Sequence, residues 1–163
     1  MAHQDSKSKS KFIRDAFAEL KAKGSHSSGP VPFGFEAEPV QVDNLTIRWL
    51  KLQAPGKPAG DAVRRMIKLA VGGTVPNAIG MKMTSDGVLT PLEMLPPEEA
   101  EELRAASRKR RKVQDDDAPA EWSPTVVLRI LRDPRLAGFA IGPVDPKTKR
   151  RTVLRNDDGD PGG

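Results

Sequence analysis

Cysteine is absent from the 163 residues, and so is tyrosine. Without thiols there is no disulfide framework, no thiolate nucleophile and no cysteine-based zinc ribbon or finger. Metal ligation would fall to carboxylates and to His3 and His26, the two histidines, each set among small or polar neighbours. No metal site and no cofactor are expected from so thin a ligand inventory. Aromatics make up 4% of the chain, too few for a sheet that holds unpaired bases by stacking; Trp49 and Trp122 are read as core or hinge packing. No apolar run reaches the roughly 18 residues that a membrane span needs, and the N-terminus lacks the apolar segment of a secretory signal. A soluble, cytoplasmic protein with no membrane partner and no small-molecule substrate is the expectation.

What is abundant is turn chemistry and charge. Glycine and proline number 14 and 15 against 37% hydrophobic residues, which predicts one modest, loop-rich domain with flexible ends. The net charge is +5, and its placement matters more than its sum. Glu93, Glu98, Glu99, Glu101 and Glu102 lie together, as do Asp115, Asp116 and Asp117, so much of the acid is confined to one stretch. Between Ser123 and Arg155 stand eight Lys or Arg against Asp133 and Asp145. Such an excess suits a phosphate backbone, where each cation displaces a condensed counterion; a solvated surface is the competing reading.

Periodicity divides the chain. From Ser6 to Lys23, Phe12, Ile13, Ala16, Phe17 and Leu20 form one apolar helical stripe that Gly24 ends. Ser25 to Gly29 is a flexible joint, which either threads across a minor groove or serves as a plain linker. Val40 to Leu52 is β-prone, with Leu45, Ile47 and Trp49 alternating, and predicts one or two strands. Asp61 is expected to cap a helix through Val71 that buries Ala62, Val63, Met66, Ile67 and Ala70. Thr74 is expected to cap the next, Val75 to about Met83. Val88 to Pro91 is extended. Pro96-Pro97 opens a polar helix to about Lys112, acidic at its start and basic at its end, as the helix dipole favours. Ser123-Pro124 starts a helix whose stripe is Val126, Val127, Ile130 and Leu131, leaving Thr125, Leu128, Arg129 and Arg132 on the other side. Leu136 to Ile141 reads as a strand, Pro143 to Lys149 as a loop, Arg151 to Arg155 as a second strand, and 156–163 as a disordered tail.

The ordered motifs are Pro32-Phe33-Gly34-Phe35, Ala78-Ile79-Gly80, Gly87-Val88-Leu89-Thr90-Pro91, Trp122-Ser123-Pro124-Thr125-Val126-Val127 and Ile130-Leu131-Arg132-Asp133-Pro134-Arg135-Leu136-Ala137-Gly138. In this order, over about residues 10 to 142, the chain resembles the recombinase domain of large serine recombinases, most closely the actinophage-type integrases. The resemblance implies an α+β fold, mostly helical and helix-turn-helix-like, with a small antiparallel β element and a leading linker helix. It divides the chain into a linker helix and joint at 1–29, a DNA-binding domain at 30–155 with an insertion at 92–121, and the tail at 156–163. Three features depart from the family: Gly80 stands where Ala is usual, the insertion is long, and the loop before Asp61 is irregular. Gly80 is expected to weaken its helix by up to about 1 kcal/mol.

The resemblance also implies binding to double-stranded DNA at an attachment half-site, within a nucleoid-associated recombinase whose other subunits are partners. No catalytic residue is expected. Ser6, Ser8 and Ser10 sit among lysines with no positioned base or arginine cluster, so the chain is expected to be inactive by itself, the family's serine domain and cysteine ribbon being missing. Thr125 and Arg129 are the base-edge candidates, since arginine bridges guanine O6 and N7 and threonine meets a thymine methyl. Ser123 either contacts a phosphate or caps its own helix. Arg132, Lys147, Lys149, Arg150 and Arg151 are phosphate candidates. Arg108, Arg110 and Arg111 either clamp a backbone or are neutralised by the acids around them. Two other functions compete: a regulatory or nucleoid DNA binder, and a protein-interaction module built on the 96–112 helix.

Overall fold

A computed structural model of the chain describes residues 2–26, 29–111, 121–139, 141–145, 147–148 and 151–154. It divides into two compact units, one made of Met1–Leu52 with Arg132–Gly163, the other of Gln53–Leu131. The fold class is α+β and mostly helical, with the strands in two small antiparallel pairs.

In the first unit, helix α1 spans Ala2–Ala22. Gly24, at φ 80°, takes the left-handed turn that lets its N–H reach Lys21 O at 3.0 Å and the Ser25 N–H reach Leu20 O at 2.9 Å. These two bonds satisfy carbonyls that the helix end would leave open. The chain is then stitched to the sheet: the Arg48 N–H donates to Ser25 Oγ, and the His26 N–H to Arg48 O. The apolar stripe of α1 does not become core. Phe12, Ile13 and Phe17 are 76%, 53% and 46% exposed.

Strands β1 (Phe35–Val42) and β2 (Leu45–Leu52) form a hairpin in register from Phe35 opposite Leu52 to Val42 opposite Leu45. The strand therefore starts before Val40, and Asp43-Asn44 makes the connection with Asp43 at φ 53°, a backbone state that short acid and amide side chains tolerate. Pro39 lies within β1; a two-stranded ribbon leaves every strand an edge, where its missing N–H costs nothing. Ile47 and Phe35 are buried.

Residues Leu136 to Ala137 are not strand, as the sequence had suggested. Pro134–Ala137 is a 3-10 turn, followed by Gly138 at φ 82°. Asp133 starts it by accepting the Arg135 N–H, and holds the Arg135 guanidinium through both carboxylate oxygens at 2.7 and 2.5 Å. That guanidinium sits 5.9 Å from the centroid of the Phe35 ring, a cation–π distance. Only then do β3 (Ile141–Val144) and β4 (Arg151–Val153) pair antiparallel, with an irregular register between their ends. α1 packs beside β3.

The second unit is built on helices α2 (Pro58–Val71), α3 (Pro76–Ser85), α4 (Pro97–Arg111) and α5 (Pro124–Leu131). α2, α3 and α5 pack on one another around Val63, Met66, Ile79, Met83 and Val127, all fully buried. Both predicted caps move. α2 opens at Pro58 after Lys57, and Asp61 lies in its first turn, accepting the Gly56 N–H and pairing with Arg64. Thr74 does not open α3 but closes α2: with Gly73 left-handed, the Thr74 N–H reaches Leu69 O at 3.0 Å, and Val75 stands at the α3 cap with no side-chain bond. Thr90 instead organises a single turn after Pro91: its N–H and Oγ1 both donate to Glu93 Oε2, at 2.7 and 2.8 Å, and its carbonyl accepts the Met94 N–H at 3.1 Å, the bonding pattern of a Thr-x-x-Glu box although the next helix begins only at Pro97.

Candidate nucleic-acid interface

α5 is short and apolar on one side. Of the predicted stripe Val126, Val127, Ile130 and Leu131, the structure buries Val127 and Ile130 and leaves the other two half-buried, as is Leu128. Ser123 caps the helix: its carbonyl accepts the Val126 and Val127 N–H at 3.1 Å each, and its Oγ accepts the Val126 N–H at 3.3 Å. Before the cap, Trp122 is a buried anchor. Its indole Nε1 donates to Val88 O at 2.8 Å, and its backbone N–H to Thr84 Oγ1 at 3.1 Å. One residue thus ties the start of α5 to the end of α3 and to the segment beyond it.

The same contact explains Gly80. A Cβ there would lie 2.3 Å from the Trp122 carbonyl oxygen, so the glycine is what lets α3 and the α5 entrance approach. The expected cost to the helix is set against a fit that alanine could not make.

Seated this way, α5 presents Thr125 and Arg129 as exposed residues, one helical turn apart and therefore on one face. Ser123 is exposed beside them. Arg132, also exposed, follows directly after the helix and is grouped with the other unit. Within that other unit Lys147 is exposed in a turn organised by Asp145, whose Oδ1 accepts the Lys147 N–H at 2.7 Å and the Thr148 N–H at 3.3 Å. Those bonds from Lys147 and then Thr148, which favour the charged carboxylate, hold the Asp145 carboxyl below its ordinary value. Arg151 opens β4. Arg108, Arg110 and Arg111 occupy the last turns of α4. Lys149 and Arg150 lie outside the described residues.

The structure therefore brings Ser123, Thr125 and Arg129 together on one element. It adds an outward side of α3 that the sequence reading treated as packing alone: Asn77, Met81, Lys82 and Ser85 are exposed while Ile79, Gly80 and Met83 are buried. The signal was present in the four-residue spacing of Asn77, Met81 and Ser85. Arg65 and Lys82 both reach Asp86, so the cations on this side are partly paired.

Among the described residues no group of three or more His, Asp or Glu side chains could hold a metal ion, and no helix is long and apolar enough to cross a membrane. Comparison with family models, with curated proteins and with solved structures finds no match to this chain.

Proposed function

We propose that this chain binds duplex DNA through the exposed face of α5, as the DNA-binding segment of a serine site-specific recombinase. The observation that carries the reading is the mutual packing of α2, α3 and α5 with Thr125 and Arg129 left outward on the last of them. A three-helix unit whose third helix is short, capped at its N-terminus and polar on its free side is the arrangement by which helix-turn-helix proteins enter a major groove. Here the turn between the second and third helices is replaced by a long excursion that carries α4, and Trp122 restores the seat that a short turn would give.

Arg129 would bridge a guanine and Thr125 meet a neighbouring thymine methyl. Arg132, Lys147, Lys149, Arg150 and Arg151 would neutralise phosphates and position the domain, with Arg108, Arg110 and Arg111 as further phosphate candidates. The role needs neither cofactor nor metal. Strand exchange would be performed by a serine-bearing catalytic segment and by other recombinase subunits assembled on the DNA, which places the protein at the nucleoid.

The test is selection of duplexes from a randomised pool, followed by anisotropy titration of the selected and a scrambled duplex at about 0.15 M salt. Specific binding at least about tenfold tighter, reduced by Arg129→Ala by about 1–3 kcal/mol, is expected. Equal affinity for both duplexes overturns sequence-specific recognition, and no salt-sensitive binding to either overturns DNA binding.

A further inference from the structure

Arg48, in β2, is fixed at its backbone and free at its side chain. It stands opposite Pro39, which has no N–H to give, and the backbone groups of Arg48 turn away from β1. There its N–H donates to Ser25 Oγ at 3.1 Å and its carbonyl accepts the His26 N–H at 2.8 Å. The side chain is exposed, and among the described residues nothing pairs with its guanidinium.

Side chains alternate between the faces of a strand, so the register puts Pro39, Gln41, Thr46 and Arg48 together on one face of the hairpin's outer half, all four exposed. The other face is the packed one, with Ile47 buried and Val42 and Leu45 half-buried. The acids of the hairpin lie off the open face. Glu36 and Glu38 share the packed side with Lys51, which reaches both, and Asp43 sits in the turn, held by Lys23. Thr46 Oγ1 donates to Gln41 Oε1 at 2.8 Å, so the Gln41 amide has its N–H groups left to offer. A solvated outer face accounts for exposure. It does not account for a face on which an amide and a guanidinium stand as donors while each acid of the hairpin is drawn off by a lysine.

We propose that this face is a second base-reading element for duplex DNA, entering a major groove with Arg48 on a guanine. The proposal rests on the DNA-binding reading and gives the first unit a reader of its own besides α5 in the second. A two-stranded ribbon fits the major groove as a helix does. Thr46 and Arg48, two residues apart on β2, are separated by about 6.8 Å along the strand, which is the rise of two base pairs. The arginine fork spans guanine O6 and N7, and the Gln41 amide, restricted to donation, meets an acceptor of a neighbouring pair: a purine N7, a guanine O6 or a thymine O4. With no acid on the face, nothing on it repels the phosphates that border the groove.

The experiment takes the full chain, Arg48→Ala and Arg129→Ala through the same selection from a randomised pool, then titrates each on the selected and the scrambled duplex at about 0.15 M salt. Arg48→Ala is expected to weaken the selected duplex about tenfold and the scrambled one much less, and to lose a guanine preference at a base pair where Arg129→Ala keeps it. Because the side chain is exposed, thermal unfolding is expected to be unchanged. A second measurement leaves the protein alone: 7-deazaguanine, which lacks N7, is scanned through the selected duplex and is expected to weaken the wild type at that same base pair while leaving Arg48→Ala unaffected there. An Arg48→Ala chain that selects and binds as the wild type does overturns the proposal. So does equal weakening on both duplexes, which makes Arg48 a phosphate contact, or a 7-deazaguanine scan that finds no position beyond those read by Arg129. In these outcomes the wild type still selects a duplex and the DNA-binding reading stands; a wild type that selects none removes both.

Discussion

At the scale of single residues, Gly80 carries the sharpest prediction. Alanine is the better helix former by about 1 kcal/mol, so on local propensity Gly80→Ala stabilises α3. The added Cβ would stand 2.3 Å from a backbone oxygen that Trp122 holds in place, and relieving that clash costs about 1–3 kcal/mol. Urea unfolding is expected to show net destabilisation; a rise in the midpoint would mean that the α5 entrance moves freely.

Two carboxylates can be followed by pH in the same way. Lys23 donates to Asp43 at 2.8 Å, and that bond, with the attraction of the ammonium charge, lowers the Asp43 carboxyl while raising Lys23. A folded value below the unfolded one means stability present above the unfolded carboxylate pKa of about 3.9 and lost as pH falls through the folded value. The Asp145 carboxyl is lowered likewise, by backbone bonds. NMR titration of side-chain carboxyls is expected to place both midpoints below that of a free aspartate, and Lys23→Met to return Asp43 alone towards it.

At the scale of elements, α5 depends on its cap. Ser123→Ala is expected to cost about 1 kcal/mol of stability and Ser123→Asp to restore it, read by thermal unfolding. Loss of DNA affinity without loss of stability would instead make Ser123 a phosphate contact. The elements also mark where sequence reading holds and fails. The Ser-Pro start of α5, Gly24 after α1 and the glycines after α2 were legible, because each rests on bonding within a few residues. Thr74 was misread because a threonine before a Val-Pro pair suits either the end of one helix or the start of the next, and the left-handed Gly73 decides for the end. The 3-10 turn at Pro134 was missed because Leu136 and Phe139 carry a strand-like pattern, while Asp133 and Gly138 hold that stretch in a turn.

At the scale of the whole molecule, the charge that the sequence concentrates after Ser123 is distributed between the two units. A cation that meets phosphate acts through counterion release, so log K falls with log salt by about 0.9 per contact. Lys147→Ala is therefore expected to weaken binding to selected and scrambled duplex alike and to flatten the salt slope by about 1. Arg129→Ala is expected to weaken the selected duplex more. If the two variants behave identically, α5 is not the reading element.

What the sequence determined by itself is whatever depends on neighbours along the chain: the α+β class, the helices, the position of Ser123 as a cap, and the exclusion of thiol chemistry. Burial was decided by the tertiary structure. Both α1 and α2 carry an apolar stripe in sequence, yet Phe12 and Phe17 stay exposed while Val63 and Met66 are sealed, because a stripe records what a helix could bury and not whether another element meets it. Gly80 turned on the same distinction. In sequence it is a weak point in a helix, and in the fold it is the space into which the Trp122 carbonyl fits, across a separation along the chain that no local pattern spans.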